Sequence, residues 1–584
     1  MSSMKNKQEK SSSLVRLALL MKPYIGKLLI CMLCVIVVNL AELLKPYVAA
    51  IVIDNFLVGT TEQSGLFSIT GMGILYFAVA LAGALFSMTQ VRLIARISQG
   101  ILNEMRQKVF NKIMHMPMKL LDRYGTGRLI TRATNDVETV NEFYSDVFLN
   151  LFKDVFLLLG ILVMMLIMDP HLALAAFTGV PLIVLLTFSL KKIIKRNFKR
   201  MKQIIGQING FFAENISGMR IVQAFNRQKN KMDEFQELNQ AYFKTTMTQV
   251  FLNSFLRPTM EVINNLVIAL LIVYGFGRIT GGLLEVGVLY AFTNYVKQFF
   301  EPINDLAEKY TTIQSALVST DRIYEILDET DIEDPEAGAH GGPVKGTVEF
   351  KDVWFAYQDE DWILKGISFK VEAGQKVAFV GHTGVGKSTI INLISRYYAI
   401  QKGQILVDGV PVEDWKLRDL RQGVSTVLQD VFLFTGDIAE NLDMHAGLTE
   451  ERMEDALEVS EASDFIHDLG GLSSAVTEQG LNFSTGQRQL LSFARAIAHD
   501  PAILVLDEAT AHIDTNTEEL IQQSIENISQ GRTSIFIAHR LSTIQNCDVI
   551  FVLVDGQVAE QGTHDELYAL NGVYTNLIQA QVEE

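Results

Sequence analysis

Cysteine is scarce in this chain of 584 residues: there are three, Cys31, Cys34 and Cys547. So few exclude a disulfide framework. Cys31 and Cys34 form a C-x-x-C pair, but no second pair of ligands accompanies them. They lie in the apolar run Leu28–Val38, and read as small buried hydrophobes of a helix, not as a redox or zinc site. An excess of basic charge is also lacking. The chain has 50 Lys and Arg against 66 Asp and Glu, a net charge of −16. That argues against nucleic acid as a partner, since phosphate binding needs a basic surface. Charged residues make up only 20% of the chain, and mean hydropathy is +0.21. Both fit a protein partly embedded in a membrane. No small-residue cleavage site follows the first apolar run. The polar, Lys-rich Met1–Lys27 is therefore expected to lead into a retained helix and not to be a signal peptide.

What is present is unevenly distributed. Six apolar segments lie in the first half, centred on Leu28–Leu44, Phe67–Met88, Val155–Met168, Leu172–Leu190, Phe251–Tyr274 and Leu283–Phe300. Each is near the ~20 residues a bilayer requires. Asp169-Pro170-His171 alone separates the third from the fourth, so these two should form a hairpin. The stretch after the fourth carries Lys191, Lys192, Lys195, Arg196, Lys199, Arg200 and Lys202, whereas Asp54–Leu66 has no Lys or Arg. Positive loops stay inside, which predicts a cytoplasmic N-terminus, cytoplasmic long connections and a cytoplasmic second half. Those connections, Val91–Asn150 and Lys191–Val250, have helical composition. They predict helices that run on into the cytoplasm and turn at Met116–Gly127 and at Glu214–Asn226. Polar residues recur on single helix faces within the spans: Asn39 with Glu42, Glu261 with Asn264 and Asn265, and Tyr290 with Asn294 and Gln298. Two readings fit them, a polar-dotted substrate cavity or hydrogen bonding between helices. For Glu42 and Glu261 the cavity is the expectation.

Asp328–Gly346 is acidic and rich in Gly and Pro, the composition of a domain linker. The expected organisation is a membrane domain over residues 1–327, a linker over 328–346 and a soluble domain over 347–584. In that last part, Val377–Val380 and Ile503–Leu506 are short continuous apolar runs, as expected of strands buried on both faces.

The strongest motif is Gly381-His382-Thr383-Gly384-Val385-Gly386-Lys387-Ser388, followed by Thr389 and a helical run. It fits the strand–loop–helix pattern that cradles nucleotide phosphates. Glycines let backbone N–H groups wrap the phosphates, Lys387 pairs with their charge, and the Ser388 hydroxyl is suited to Mg²⁺. Ile503-Leu504-Val505-Leu506-Asp507-Glu508 supplies the second half of such a site. Asp507 is suited to hold Mg²⁺, and Glu508 to orient or deprotonate the attacking water.

Asn482-Phe483-Ser484-Thr485-Gly486-Gln487-Arg488-Gln489, just before that strand, resembles the signature sequence of ATP-binding cassette (ABC) transporters. The resemblance extends over essentially the whole chain, and membrane-domain-first order is similar to the bacterial multidrug exporters of this superfamily. It implies a six-helix all-α membrane domain followed by an α/β P-loop ATPase domain, with ATP and Mg²⁺ as cofactors. It further implies that Tyr357 stacks on adenine and that Gln429 links Mg²⁺ and water to the membrane domain. Glu478 resembles the acidic residue of the loop before the signature, Asp514 the D-loop aspartate, and His539 the switch histidine on the γ-phosphate. Ser484, Gly486 and Gln487 would contact an ATP held by the other subunit.

The sequence departs from the family pattern at two places. Phe483 and Thr485 stand in the signature where Leu and Gly are usual, and the D-loop region reads Ala511-His512-Ile513-Asp514 where Ser-Ala-Leu-Asp is usual. Such departures resemble the subunit of a heterodimeric exporter that keeps its catalytic glutamate but presents a weakened signature. The implied protein is one half of a dimer, heterodimer favoured over homodimer, which uses ATP to export small hydrophobic or amphipathic compounds across the cytoplasmic membrane. A lipid flippase shares this architecture. A soluble ABC ATPase would lack the spans, and a peptide exporter with a processing protease would need a longer leader than Met1–Lys27.

Overall fold

The computed structural model describes residues 12–58, 68–507, 515–537 and 541–583. The chain divides into two units, Met1–Phe110 with Ile130–Asp328, and Asn111–Leu129 with Glu329–Glu584. A short piece of the first half, residues 111–129, thus belongs with the second.

The helices in chain order are α1 (Ser13–Leu20), α2 (Ile25–Val52), α3 (Ile69–Met114), α4 (Met118–Tyr124), α5 (Thr126–Thr131), α6 (Val137–Glu142), α7 (Leu149–Met168), α8 (Pro170–Phe177), α9 (Gly179–Ser217), α10 (Met219–Ala224), α11 (Gln228–Thr280) and α12 (Val286–Leu327). At 1.5 Å per residue α3 and α11 are roughly 70–80 Å long, more than twice the apolar thickness of a bilayer. They therefore carry their apolar ends into lipid and their polar ends well beyond it. Turns fall at the expected joints. α3 stops before Pro117, and Gly125 sits at φ 74° after α4; Gly218 separates α9 from α10. Among the described residues, Ser13–Val58, Ile69–Met114, Thr126–Met168 and Glu261–Thr280 are long and apolar enough to cross a membrane. Side chains such as Phe77, Ile167 and Val273 point outward and are exposed, as lipid-facing residues should be.

One predicted span is broken. Leu172–Leu190 is divided between α8 and α9 at Thr178. Pro181 has no N–H to give to the carbonyl of Phe177, so the ladder is interrupted one turn before it. The short turn before α8 forms as its residues dictate. Asp169 caps α8 by accepting from the Leu172 amide at 2.8 Å, with Pro170 in the first turn. Arg278 of α11 pairs with the same carboxylate at 2.5 Å.

Leu43, Ile161, Leu271, Phe292 and Tyr295 form the main core of this unit, from α2, α7, α11 and α12. At Gly287 the backbones of α12 and α2 approach so closely that a Cβ would lie 2.1 Å from the carbonyl oxygen of Ala50. Of the polar residues of the spans, Asn39 joins two helices, whereas the bonds of Asn294 and Glu42 stay within their own helices. Asn39 is buried and donates to the Lys153 carbonyl at 2.9 Å. Asn294 donates to the Tyr290 carbonyl of its own helix, and Glu42 pairs with Lys45 at 2.7 Å. Glu261 is exposed. A stronger charge pair escaped the sequence: Asp154 of α7 and Lys309 of α12 lie 2.5 Å apart, both side chains nearly buried. Removing one partner of such a pair strands a buried charge, at a cost of about 3–5 kcal/mol. Asp136 is similarly enclosed, by Arg132 at 2.7 Å and the Ser319 hydroxyl at 2.8 Å. Cys31 and Cys34 are buried in α2.

The second unit holds β1 (Val348–Phe355), β2 (Leu364–Val371), β3 (Lys376–Val380), β4 (Lys402–Val407), β5 (Val410–Pro411), β6 (Val424–Val427), β7 (Gly436–Asp437), β8 (Ala475–Val476), β9 (Ile503–Asp507), β10 (Thr533–Ile537), β11 (Val549–Val554) and β12 (Gln557–Gly562). They form sheets of order β2-β1-β4-β5 and β12-β11-β3-β10-β9-β6, with a β7-β8 pair. The neighbours β11, β3, β10, β9 and β6 are parallel. Alternation along β3 and β9 explains why both read as unbroken apolar runs. Val377, Phe379, Ile503 and Val505 face the core shared with the four-stranded sheet. Ala378, Val380, Leu504 and Leu506 face the helical core on the other side.

The segment read as a linker is tied down over much of its length. Arg421 grips Glu333 with two bonds of 2.8 and 3.0 Å. His340 exchanges backbone bonds with Asp414 and Lys416, and the Gly342 amide donates to Asp419 at 2.8 Å.

Candidate functional site

The parallel strands end on one side of their sheet, where loops and helix N-termini collect. At the end of β3 the chain turns through Gly381 at φ 151°, Gly384 at φ 86° and Gly386 at φ 105° into the helix α13 (Lys387–Ile394). These dihedrals are poor for residues with a Cβ. Space forbids one as well, since a Cβ on Gly381 would meet the Leu553 carbonyl oxygen at 2.5 Å. The resulting loop is a concave run of backbone N–H groups at a helix N-terminus, an arrangement suited to anions.

A cavity of about 270 Å³ opens there, lined by Ile363, Thr383, Gly384, Gly386, Lys387, Ser388, Thr389, Gln429, Asp507 and Ile537. Residues far apart in sequence thus converge on it. Lys387 is buried, and its Nζ donates to the carbonyls of Gly381 at 2.6 Å and His382 at 3.2 Å. His382 and Val385 complete the loop beside it. Ser388, Gln429 and Asp507 offer three oxygen-bearing side chains to the same cavity. Such hard donors fit Mg²⁺, which takes few protein oxygens and completes its shell with phosphate and water. β9 and β10 pair so that Asp507 lies beside Ile537. Glu508 follows Asp507 in the chain and His539 comes two residues after Ile537; both, with Asp514, lie outside the described residues.

Tyr357 stands beside α13. Its hydroxyl is 3.3 Å from the Thr389 hydroxyl and accepts from Asn392 at 3.2 Å. Its ring packs against those of Phe355 and Tyr398 and is partly exposed.

The signature residues do not line this cavity. Ser484 caps the helix Thr485–Ala498 in a capping box, accepting from the Gln487 amide at 3.2 Å while Gln487 accepts from the Ser484 amide at 2.9 Å. The two departures in the motif have different physical meanings. Phe483 is buried and packs against Phe465 in the helical core, so it is a packing residue facing away from solvent. Thr485 is exposed in the first helical turn, where its side chain alters what the helix tip presents. Its helical backbone needs no glycine.

Arg495 of this helix, which the sequence did not single out, supports the site from outside the cavity. It donates to the carbonyls of Asn441 at 2.8 Å and Phe432 at 2.9 Å. Burial pushes its guanidinium below its ordinary value. Phe432 lies three residues beyond Gln429, so Arg495 ties the signature helix to the segment carrying that glutamine.

Comparison with known proteins accords with this arrangement. Residues 28–303 match the family model of the ABC transporter transmembrane region, and residues 364–511 match that of the ABC transporter. A putative ABC transporter ATP-binding protein, exp8, of Streptococcus pneumoniae is 37% identical over 99% of both chains. A probable multidrug resistance ABC transporter ATP-binding/permease protein, YheH, of Bacillus subtilis is 39% identical over 87% of this chain and 76% of its own. The structure of a bacterial Atm1-family ABC exporter with ATP bound superposes with a TM-score of 0.77 at 28% identity, covering 97% of this chain and 99% of that one. With its membrane region and its ATP-hydrolysing region on one polypeptide, this chain belongs to the ABC transporter family, as a half-transporter of the exporter type.

Proposed function

We propose that the chain pairs with a second, different half-transporter and exports small hydrophobic or amphipathic compounds across the cytoplasmic membrane. The observation that carries the catalytic part of this reading is the single cavity shared by Lys387, Ser388, Gln429 and Asp507. In it the loop Gly381–Thr389 wraps the phosphates of ATP with its amides, and Lys387 moves from the loop carbonyls onto phosphate oxygen. Tyr357 stacks on the adenine. Ser388, Gln429 and Asp507 would hold Mg²⁺, which neutralises phosphate charge when bound. Glu508 orients the attacking water and accepts its proton, while His539 contacts the γ-phosphate.

The second wall of the site comes from the partner, whose signature helix tip covers this ATP. Ser484, Gly486 and Gln487 of this chain cover the partner's ATP in return. ATP binds the closed pair better than the open one and so favours closure, and hydrolysis removes that preference. Spans whose outer side chains are apolar and exposed suit substrates that dissolve in the bilayer. The multidrug name of the Bacillus relative supports that class.

Export also requires the ATPase unit inside the cell. The Lys and Arg cluster of residues 191–202 supports this orientation. A cysteine introduced at Gln207 is expected to resist an impermeant thiol reagent in intact cells and to react after lysis. One introduced at Thr61 is expected to react without lysis. The reverse pattern would overturn the direction of transport.

A further inference from the structure

The nucleotide cavity and the short helix α4 belong to the same unit, and one side chain bridges them. Lys112 and Tyr124 bond Glu329, and the Glu333 amide donates to the His115 carbonyl at 2.8 Å. These contacts fasten α4 and its flanks to the chain entering the second unit. None of them touches the nucleotide side. Another contact does. The Tyr398 hydroxyl donates to the Asp122 carboxylate of α4, while its ring meets that of Tyr357 edge-on, with centroids 5.0 Å apart. Phe355 packs against both rings, at 4.8 Å from Tyr357 and 5.9 Å from Tyr398.

The chain reaches Tyr398 by a second route as well. α13 begins at Lys387 and ends at Ile394, four residues before it, and Tyr357 itself touches Thr389 and Asn392 of α13. A change in the setting of either the adenine-facing ring or the phosphate helix therefore arrives at Tyr398. Burial and then the neighbouring Asp122 carboxylate push the Tyr398 phenol well above its ordinary value, so it remains a proton donor throughout the physiological range. α4 is joined through Met116 and Pro117 to α3, whose apolar part belongs to the membrane unit.

We propose that Tyr398 is a positioning residue that reports nucleotide occupancy at Tyr357 to Asp122 of α4, and through it to α3. The proposal rests on the reading of Tyr357 as the adenine-stacking ring. Coupling between two such sites is commonly worth about 5- to 150-fold in an equilibrium.

The test uses the full-length dimer in lipid nanodiscs, with ATP affinity measured in a fluorescent-nucleotide competition and hydrogen exchange followed with and without ATP. In the unaltered protein, ATP should slow exchange both at residues 381–389 and along α3. With Tyr398→Phe, ATP affinity and the protection at 381–389 should stay within about twofold, while the ATP-dependent change in α3 falls about fivefold or more. The same variant should lower kcat at unchanged KM for ATP. Asp122→Asn should reproduce this pattern, and the double variant should be no worse than either single one. An α3 response that survives in Tyr398→Phe, or that falls only together with ATP affinity, overturns the proposal. Tyr357→Ala separates the two claims: normal ATP affinity in that variant would refute the adenine assignment, whatever Tyr398→Phe does.

Discussion

Glu508→Gln is expected to leave ATP binding intact and to cut ATP turnover by about a hundredfold or more, the usual worth of a positioned general base. The physical basis is the end of β9. Four apolar residues bury that strand on both faces, and Asp507 emerges from it into the cavity beside Lys387 and Ser388. The next residue is Glu508. The amide of Gln preserves the size and polarity of the side chain but is far too weak a base to take a proton from water. ATP should then accumulate uncleaved between the two chains of a dimer. The measurement is steady-state phosphate release alongside nucleotide occlusion after rapid gel filtration. Near-normal turnover, or turnover lost together with binding, would remove Glu508 from its assigned role.

Thr485→Gly is expected to raise the ATPase rate of dimers made from this chain alone by roughly tenfold. A hydrogen bond to a charged group contributes about 1.5–3 kcal/mol, and 1.36 kcal/mol is one decade in rate. The helix tip at Ser484 donates to phosphate across the dimer interface in the proposed site. Thr485 adds a Cβ and a hydroxyl at that exposed tip, next to a serine whose capping geometry is intact. Phe483 should not share the effect, because its ring is buried against Phe465. Phe483→Leu is therefore the control, and should change turnover by less than about twofold. A lone-chain dimer that already turns over as fast as Thr485→Gly would argue that the altered tip carries no penalty, and with it that no second kind of subunit is needed.

Much of this molecule was legible in the amino-acid sequence, because its strongest signals are local. Apolar runs of bilayer length, Pro117 and Gly218 at the turns, and the glycines of 381–386 each impose a conformation on their own neighbours. The same is true of Asp169-Pro170, which places a cap and a helix start in two consecutive residues. What was not legible depends on partners far apart in the chain. Asp154 directly precedes the apolar run Val155–Met168, and nothing near it in the chain points to Lys309, its partner 155 residues away. Tyr398 followed the P-loop helix with no motif of its own, and its partner Asp122 lies 276 residues away. Arg495 belongs to no motif, although it holds the Gln429 segment against the signature helix. Composition marked the stretch from Asp328 to Gly346 as a linker but gave no sign of the Arg421–Glu333 grip. The span Leu172–Leu190 was expected whole because hydropathy does not register the missing N–H of Pro181.

The central claim is that ATP is cleaved between two chains, with Lys387, Asp507 and Glu508 from one and a signature helix tip from the other. It is tested most directly by sorting nanodiscs that hold one copy of a half-transporter from those that hold a pair isolated from native membranes. ATP turnover per chain is then measured in each. Two-copy discs should hydrolyse ATP, and one-copy discs should bind it with at least about a hundredfold less turnover, since half of each site is missing. Equal turnover per chain in the two populations would show that a single chain completes its own site, and would contradict the account.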